Sequence, residues 1–369
     1  MGWLSELNDV YDKILLNKKI EKKPLPLFHI ANNAPLIITL DGEGKFLSVK
    51  MSERNEWQTC MPCTEKSAAR TSGAEAYPFC DKLEYIAGDY ADFTEGKNLK
   101  EKHDKYLSLL SNWAQSEYSN QKIMSVYKYV KKGTLINDLL NKGNISEIDS
   151  EEKISEYNVF VRWNVETDDN SDSRTWLDFE IQQLWINYYS KNYFINIGFC
   201  YITGNNEPIS ELHPAKIRNA GDSAKLISSN DAANFTFRGR FNNADQACQI
   251  GTIVSLKAHN ALRWLIERQG TTIGNGLTIV AWCSIPEFKP QLLKCTNDLG
   301  FNDENEEQQE YFAAQNTALS IKNRLLGYYG KIKDNEKILI MALNAATPGR
   351  MSILLYREFN KSDFFNAQE

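Results

Sequence analysis

Between His213 and Arg240 the sequence sets five bases (Lys216, Arg218, Lys225, Arg238, Arg240) against two acids, Asp222 and Asp231. The surrounding chain has 369 residues and a net charge of −6, so this stretch is a local island of positive charge. Ser228, Ser229, Asn230 and Asn234 lie among the bases. Cationic side chains pair with phosphates, and short amides and hydroxyls suit base edges where a groove leaves little room. The same pattern also describes a solvated surface loop, and composition alone leaves both readings open. Two further stretches carry similar chemistry. Arg70-Thr71-Ser72-Gly73 is basic and hydroxyl-rich, and its glycine allows close backbone approach; a turn held inside the fold is the alternative. Lys257, His259, Asn260, Arg263 and Arg268 line the polar side of a helical pattern, either a solvated face or a set of phosphate contacts.

Enzymatic constellations are weaker. The four histidines are scattered, and no GxSxG nucleophile elbow is present. Gly42-Glu43-Gly44-Lys45 lacks P-loop spacing, and Gly270–Gly276 precedes a strand where a dinucleotide fingerprint would follow one. Cys60, Cys63 and Cys80 resemble part of a zinc site, but neither His29 nor His103 stands at a telling spacing for a fourth ligand. Buried thiols are the expected state. Glu151 and Lys153 match only the tail of a metal-nuclease motif. The expectation is therefore no catalytic residue, no metal and no cofactor. Seven cysteines, an odd number, suit a reducing cytoplasm better than a disulfide framework. No run approaches the ~18–20 apolar residues of a membrane span, and the N-terminus lacks a signal-peptide pattern.

The elements that must position these residues follow from periodicity. Trp3, Leu7, Val10, Tyr11 and Ile14 share one face of an amphipathic helix, followed by the basic run Lys18–Lys23 and by Pro24 and Pro26. Two strand-like runs around Gly42-Glu43-Gly44 read as a hairpin. Helices are expected over Leu99–Trp113 and Gln121–Lys131, and a strand over Phe160–Val165. An exposed acidic tip at 168–172 precedes a helix opening at Thr175 and Asp178 with a face of Leu177, Ile181, Leu184, Trp185 and Tyr188. Phe194–Ile202 has the character of a buried strand. The long polar segment from Thr203 follows, and its small residues predict mobility in isolation. A single helix is expected over Asp245–Arg268 with Gly270 as its cap, then a strand over Leu277–Trp282. A helix over 303–329 and two strands, Lys337–Leu343 and Met351–Arg357, around a Pro348-Gly349 turn complete the chain. This order gives an α+β fold of mixed helices and antiparallel sheet. The clustering of Gly, Ser and acids near 140–157 predicts two regions, an N-terminal one over 1–145 and an α+β one over 146–369, the latter being the DNA-binding region if the basic segment meets phosphates.

MGWLSELNDVYD at the start, RTSGAEAYPFCDKLEYIAGDY, and ITGNNEPISELHPAKIR through SNDAANFTFRGRF to KAHNALRWLIERQG together resemble the large subunit of the type I-C CRISPR Cascade complex. The likeness runs in order through essentially the whole chain. Members of that family continue into a helical region resembling the small subunit, so the resemblance implies a truncated form here. It also implies a non-catalytic subunit that inspects the protospacer-adjacent motif (PAM) in target double-stranded DNA, while guide RNA reads the rest by pairing. Its partners would be the guide-RNA ribonucleoprotein, with handle-binding, backbone and small subunits, and a helicase-nuclease. Lys216, Arg218, Lys225, Arg238 and Arg240 would then meet phosphates, and Ser228, Ser229, Asn230 and Asn234 base edges. Arg70, Thr71 and Ser72 would touch DNA or a neighbouring subunit. A metal-dependent nuclease and a purely architectural subunit are the rival classes.

Overall fold

The structure is a computed structural model. It describes residues 2–70, 73–142, 157–168, 172–194, 196–219, 221–228, 241, 244–273, 276–283, 336–347 and 349–366. Helices and mainly antiparallel strands give the α+β fold that the sequence order predicts. The chain forms two compact units, Leu25–Ile195 and Met1–Pro24 with Asn196–Glu369. The first helix, α1 (Trp3–Leu16), belongs to the second of these and buries Leu4, Leu7, Val10, Tyr11 and Ile14 along one stripe, as its spacing dictates.

The Leu25–Ile195 unit opens with β1 (His29–Asn33), β2 (Leu36–Asp41), β3 (Phe46–Met51) and β4 (Gln58–Pro62). β2 and β3 form the expected hairpin, while β1 pairs with β4. Helices α2 (Leu99–Ala114), α3 (Gln121–Val130) and α4 (Leu135–Lys142) follow, and then β5 (Val161–Glu166). β5 lies parallel to β2, with Leu36 opposite Val161 and Asp41 opposite Glu166. A division at 145 would separate these sheet neighbours, so the compact units part elsewhere than sequence composition predicts. The core is aromatic. Trp113, Trp163 and Trp185 are fully buried, and each indole N–H finds a carbonyl, Trp163 Nε1 donating to Phe79 O at 2.9 Å. Helix α5 (Phe179–Tyr193) begins one turn later than expected, because Thr175–Leu177 is a 3-10 turn and Asp178 is the cap. Leu177 is consequently exposed rather than on the buried face.

In the other unit the chain resumes with β6 (Ile197–Phe199) and β7 (Asn206–Pro208), a short antiparallel pair. The expected buried strand is thus only three residues long, and its Ile197 and Phe199 face solvent. Cys200 just beyond is fully buried. The single helix expected over 245–268 is broken: a short turn, Ala244–Ala247, precedes α6 (Thr252–Gln269). The break falls where Ser210 N–H bonds the Ile250 carbonyl at 3.0 Å and Ile209 bridges Gly251, so backbone pairing takes the place of a helical turn. α1 packs along α6, whose small Ala258 and Ala261 are fully buried. A four-stranded sheet in the order β11-β10-β9-β8 completes the unit, with β8 (Thr271–Ile273), β9 (Leu277–Cys283), β10 (Lys337–Thr347) and β11 (Arg350–Asn360). The helix expected over 303–329 lies outside the described residues.

Candidate nucleic-acid interface

The basic segment is built onto α6 and β11 rather than looped free of them. Ile217 and Ala224 are buried, and so are His213 and Asp222. Lys216 takes a positive φ of 59°, a left-handed turn that a non-glycine residue rarely occupies. Around this turn Lys216 N–H donates to Asp222 O at 2.8 Å, and Arg263 on α6 donates to the carbonyls of Lys216 and Ala215, both at 2.8 Å. Lys225 N–H reaches Gly349 O and its carbonyl accepts from Met351 N–H, so the segment extends the edge of β11 in parallel. Among the described residues of this segment, specific contacts oppose the mobility expected from small polar residues. Buried Ile217 and Ala224, with the Arg263 strap, offset the ordering entropy.

These contacts separate the candidate bases. Arg218 turns inward: Nε donates to Asp222 Oδ2 at 2.7 Å and Nη1 to Gly276 O at 2.6 Å, with 14% of the side chain exposed. Lys216 and Lys225 are half-buried and Ser228 is exposed. Ser229, Asn230, Asn234, Arg238 and Arg240 lie outside the described residues, as do Thr71 and Ser72. Arg70 is a core residue, not an outward contact. Its guanidinium makes a bidentate pair with the fully buried Asp81, at 2.9 and 2.6 Å, and lies 4.5 Å from the Tyr77 ring centroid and 4.3 Å from that of Tyr85. Asp81 also accepts the Tyr77 and Lys82 N–H groups, so the carboxylate is fully engaged.

The polar side of α6 is likewise not solvated throughout. His259 and Asn260 are buried, and Arg263 is spent on the loop carbonyls. That strapping role is what residue types alone did not reveal; an arginine one helix away from carbonyls leaves no periodic signal. His259 Nδ1 lies 2.7 Å from the Ser255 carbonyl, which only accepts, so that nitrogen carries the proton. Ser255 Oγ in turn lies 2.8 Å from His213 Nδ1. Burial lowers His213 to about 4 and His259 to about 3, and both are neutral at neutral pH. His29 is lowered to about 4 by the same cause.

The cysteines of the partial zinc pattern are buried or nearly so, and burial pushes the Cys60 thiol up to about 12. Protonated thiols are poor ligands. Among the described residues, no three His, Cys, Asp or Glu side chains converge as a metal site needs. Nor is any helix among them long and apolar enough to cross a membrane.

Fold and site together define a two-unit α+β protein that holds a basic segment, strapped at its base, against a helix and a sheet edge. The chain belongs to the Cas_Csd1 family of CRISPR-associated proteins, whose model matches residues 7–369. No curated protein matches it. Membership in that family bears out the CRISPR association that the sequence resemblance implied.

Proposed function

We propose that the chain is the non-catalytic DNA-recognition large subunit of a type I-C CRISPR surveillance complex. In this role it reads the PAM in target double-stranded DNA, aids strand separation and R-loop formation, and recruits the helicase-nuclease. One observation carries the reading: an acidic chain of this family concentrates five bases against two acids between His213 and Arg240. Of these, Arg218 is committed to holding the segment in shape; the phosphate contacts in this reading are Lys216, Lys225, Arg238 and Arg240. Ser228, Ser229, Asn230 and Asn234 are the base-edge candidates. Division of labour between a protein-read motif and an RNA-read sequence gives the arrangement its physical sense.

The test alters Asn230 and Arg238 to alanine separately and measures binding of duplexes with intact and scrambled PAMs. Asn230→Ala is expected to narrow the preference between them, and Arg238→Ala to weaken both alike and flatten the salt dependence. Unchanged binding in both variants would overturn the placement. Sustained cleavage of labelled DNA by the purified chain with Mg²⁺ would overturn the non-catalytic reading.

A further inference from the structure

In the Leu25–Ile195 unit, the C-terminal ends of α2 and α5 frame an open groove of about 650 Å³. Tyr118, Tyr188 and Tyr193 supply its rings, and Asn112 and Asn192 its amides. Tyr193 stacks on Tyr189 with centroids 4.8 Å apart and planes within 8°, and meets Tyr188 edge-on at 6.2 Å. Tyr188 and Tyr189 are buried whereas Tyr193 is 38% exposed, so an aromatic stack rooted in the core reaches the groove through Tyr193. Asn192 Nδ2 donates to the Tyr188 carbonyl at 2.8 Å, which fixes the plane of its amide. Lys191 lies 5.5 Å from the centre of the Tyr118 ring and pairs with Glu117, both side chains more than half exposed. An exposed pair of this kind contributes little, so Lys191 can exchange Glu117 for a phosphate at small cost.

We propose that this groove takes one or two unpaired nucleotides of single-stranded nucleic acid. The base stacks against Tyr193, Asn112 and Asn192 meet its edge, and Lys191 meets the phosphate. The volume is that of a small-ligand site. Stacking on aromatic side chains and amide contact to splayed base edges are how unpaired strands are held. With a single lysine in its wall, the groove binds through the base and loses little affinity as salt rises. The inference rests on the nucleic-acid reading above only in its source of ligand, since an opened duplex supplies an unpaired strand.

The full chain is titrated with thymidine and uridine tetranucleotides and with an abasic tetramer, at about 50 and about 200 mM salt. The base-bearing oligomers should bind at least about tenfold more tightly than the abasic one at both salts. Tyr193→Ala should remove about tenfold of that affinity while the chain stays folded by circular dichroism at the titration temperature, Tyr193→Phe should retain it, and Asn112→Ala should weaken it. The tighter of the two base-bearing oligomers identifies DNA or RNA as the source. Equal binding of the abasic tetramer, or no loss in Tyr193→Ala, overturns the proposal; a groove that docks protein would give that result. Base-dependent binding that persists while the Asn230 and Arg238 variants leave duplex binding untouched would sink the PAM reading and spare this one.

Discussion

Arg70 and Arg218 show how a guanidinium's geometry decides whether it serves the fold or a ligand. Arg70 satisfies a carboxylate with no exposure of its own, between two tyrosine rings. Arg70→Ala would strip the buried Asp81 of its cationic partner and leave it only the Tyr77 and Lys82 N–H donors, at a cost of about 3–5 kcal/mol. Arg70→Lys should recover little, because an ammonium cannot reproduce the bidentate fork; urea unfolding measures both. The paired histidines make a second residue-scale prediction. His213 and His259 fall from 6.5 to about 4 and about 3 on folding, so below pH 6.5 the unfolded chain binds protons that the folded one refuses. Stability is complete above about 6.5 and declines as pH falls towards the folded values, by up to about 1.4 kcal/mol per pH unit for each histidine. Denaturation midpoints between pH 7 and pH 4, compared with His259→Gln, check the sign: the variant should show a shallower decline.

At the scale of elements, Gly44 joins a hairpin to a helix. Its φ is +78°, and a Cβ there would stand 2.6 Å from the Ser125 carbonyl on α3, whose hydroxyl meanwhile bonds Asp41 O at 2.6 Å. Gly44→Ala adds left-handed strain to a backbone clash and should cost upwards of about 1–2 kcal/mol, read as a lower melting temperature. The hairpin itself was legible in sequence, because alternation around a glycine turn is local information. So were α1, α2 and α3, through apolar spacing. Three features were not. The parallel pairing of β5 with β2 joins residues more than a hundred positions apart, and no local pattern records it. The break before α6 arises from backbone pairing with Ser210, which overrides a continuous helical periodicity. The inward turn of Arg218 depends on Gly276, reached only through the fold. For the candidate site, charge marked the segment correctly as exceptional, but charge cannot tell a strapping arginine from a ligand-facing one.

For the molecule as a whole, the unit Leu25–Ile195 is continuous in sequence and encloses its own tryptophan core, whereas the other unit needs α1 brought to α6 across the chain. The 25–195 fragment should therefore unfold cooperatively in urea, with near-ultraviolet dichroism from Trp113, Trp163 and Trp185; a non-cooperative, featureless fragment would show that the unit depends on the remainder. Electrostatics sets the last expectation. A chain of net charge −6 repels a polyanion at long range, so in the proposed role association would be carried by the local excess of three positive charges between His213 and Arg240. If Lys216, Lys225, Arg238 and Arg240 each displace a counterion from one phosphate, the logarithm of the duplex binding constant should fall with the logarithm of salt at a slope of about −3.6. Arg238→Ala should reduce that slope by about one unit. Arg218→Ala should act differently: it releases Asp222 and loosens the fold locally, so it should lower stability while leaving the salt slope nearly unchanged. Equal loss of slope in the two variants would mean that Arg218 leaves its inward partners to meet DNA.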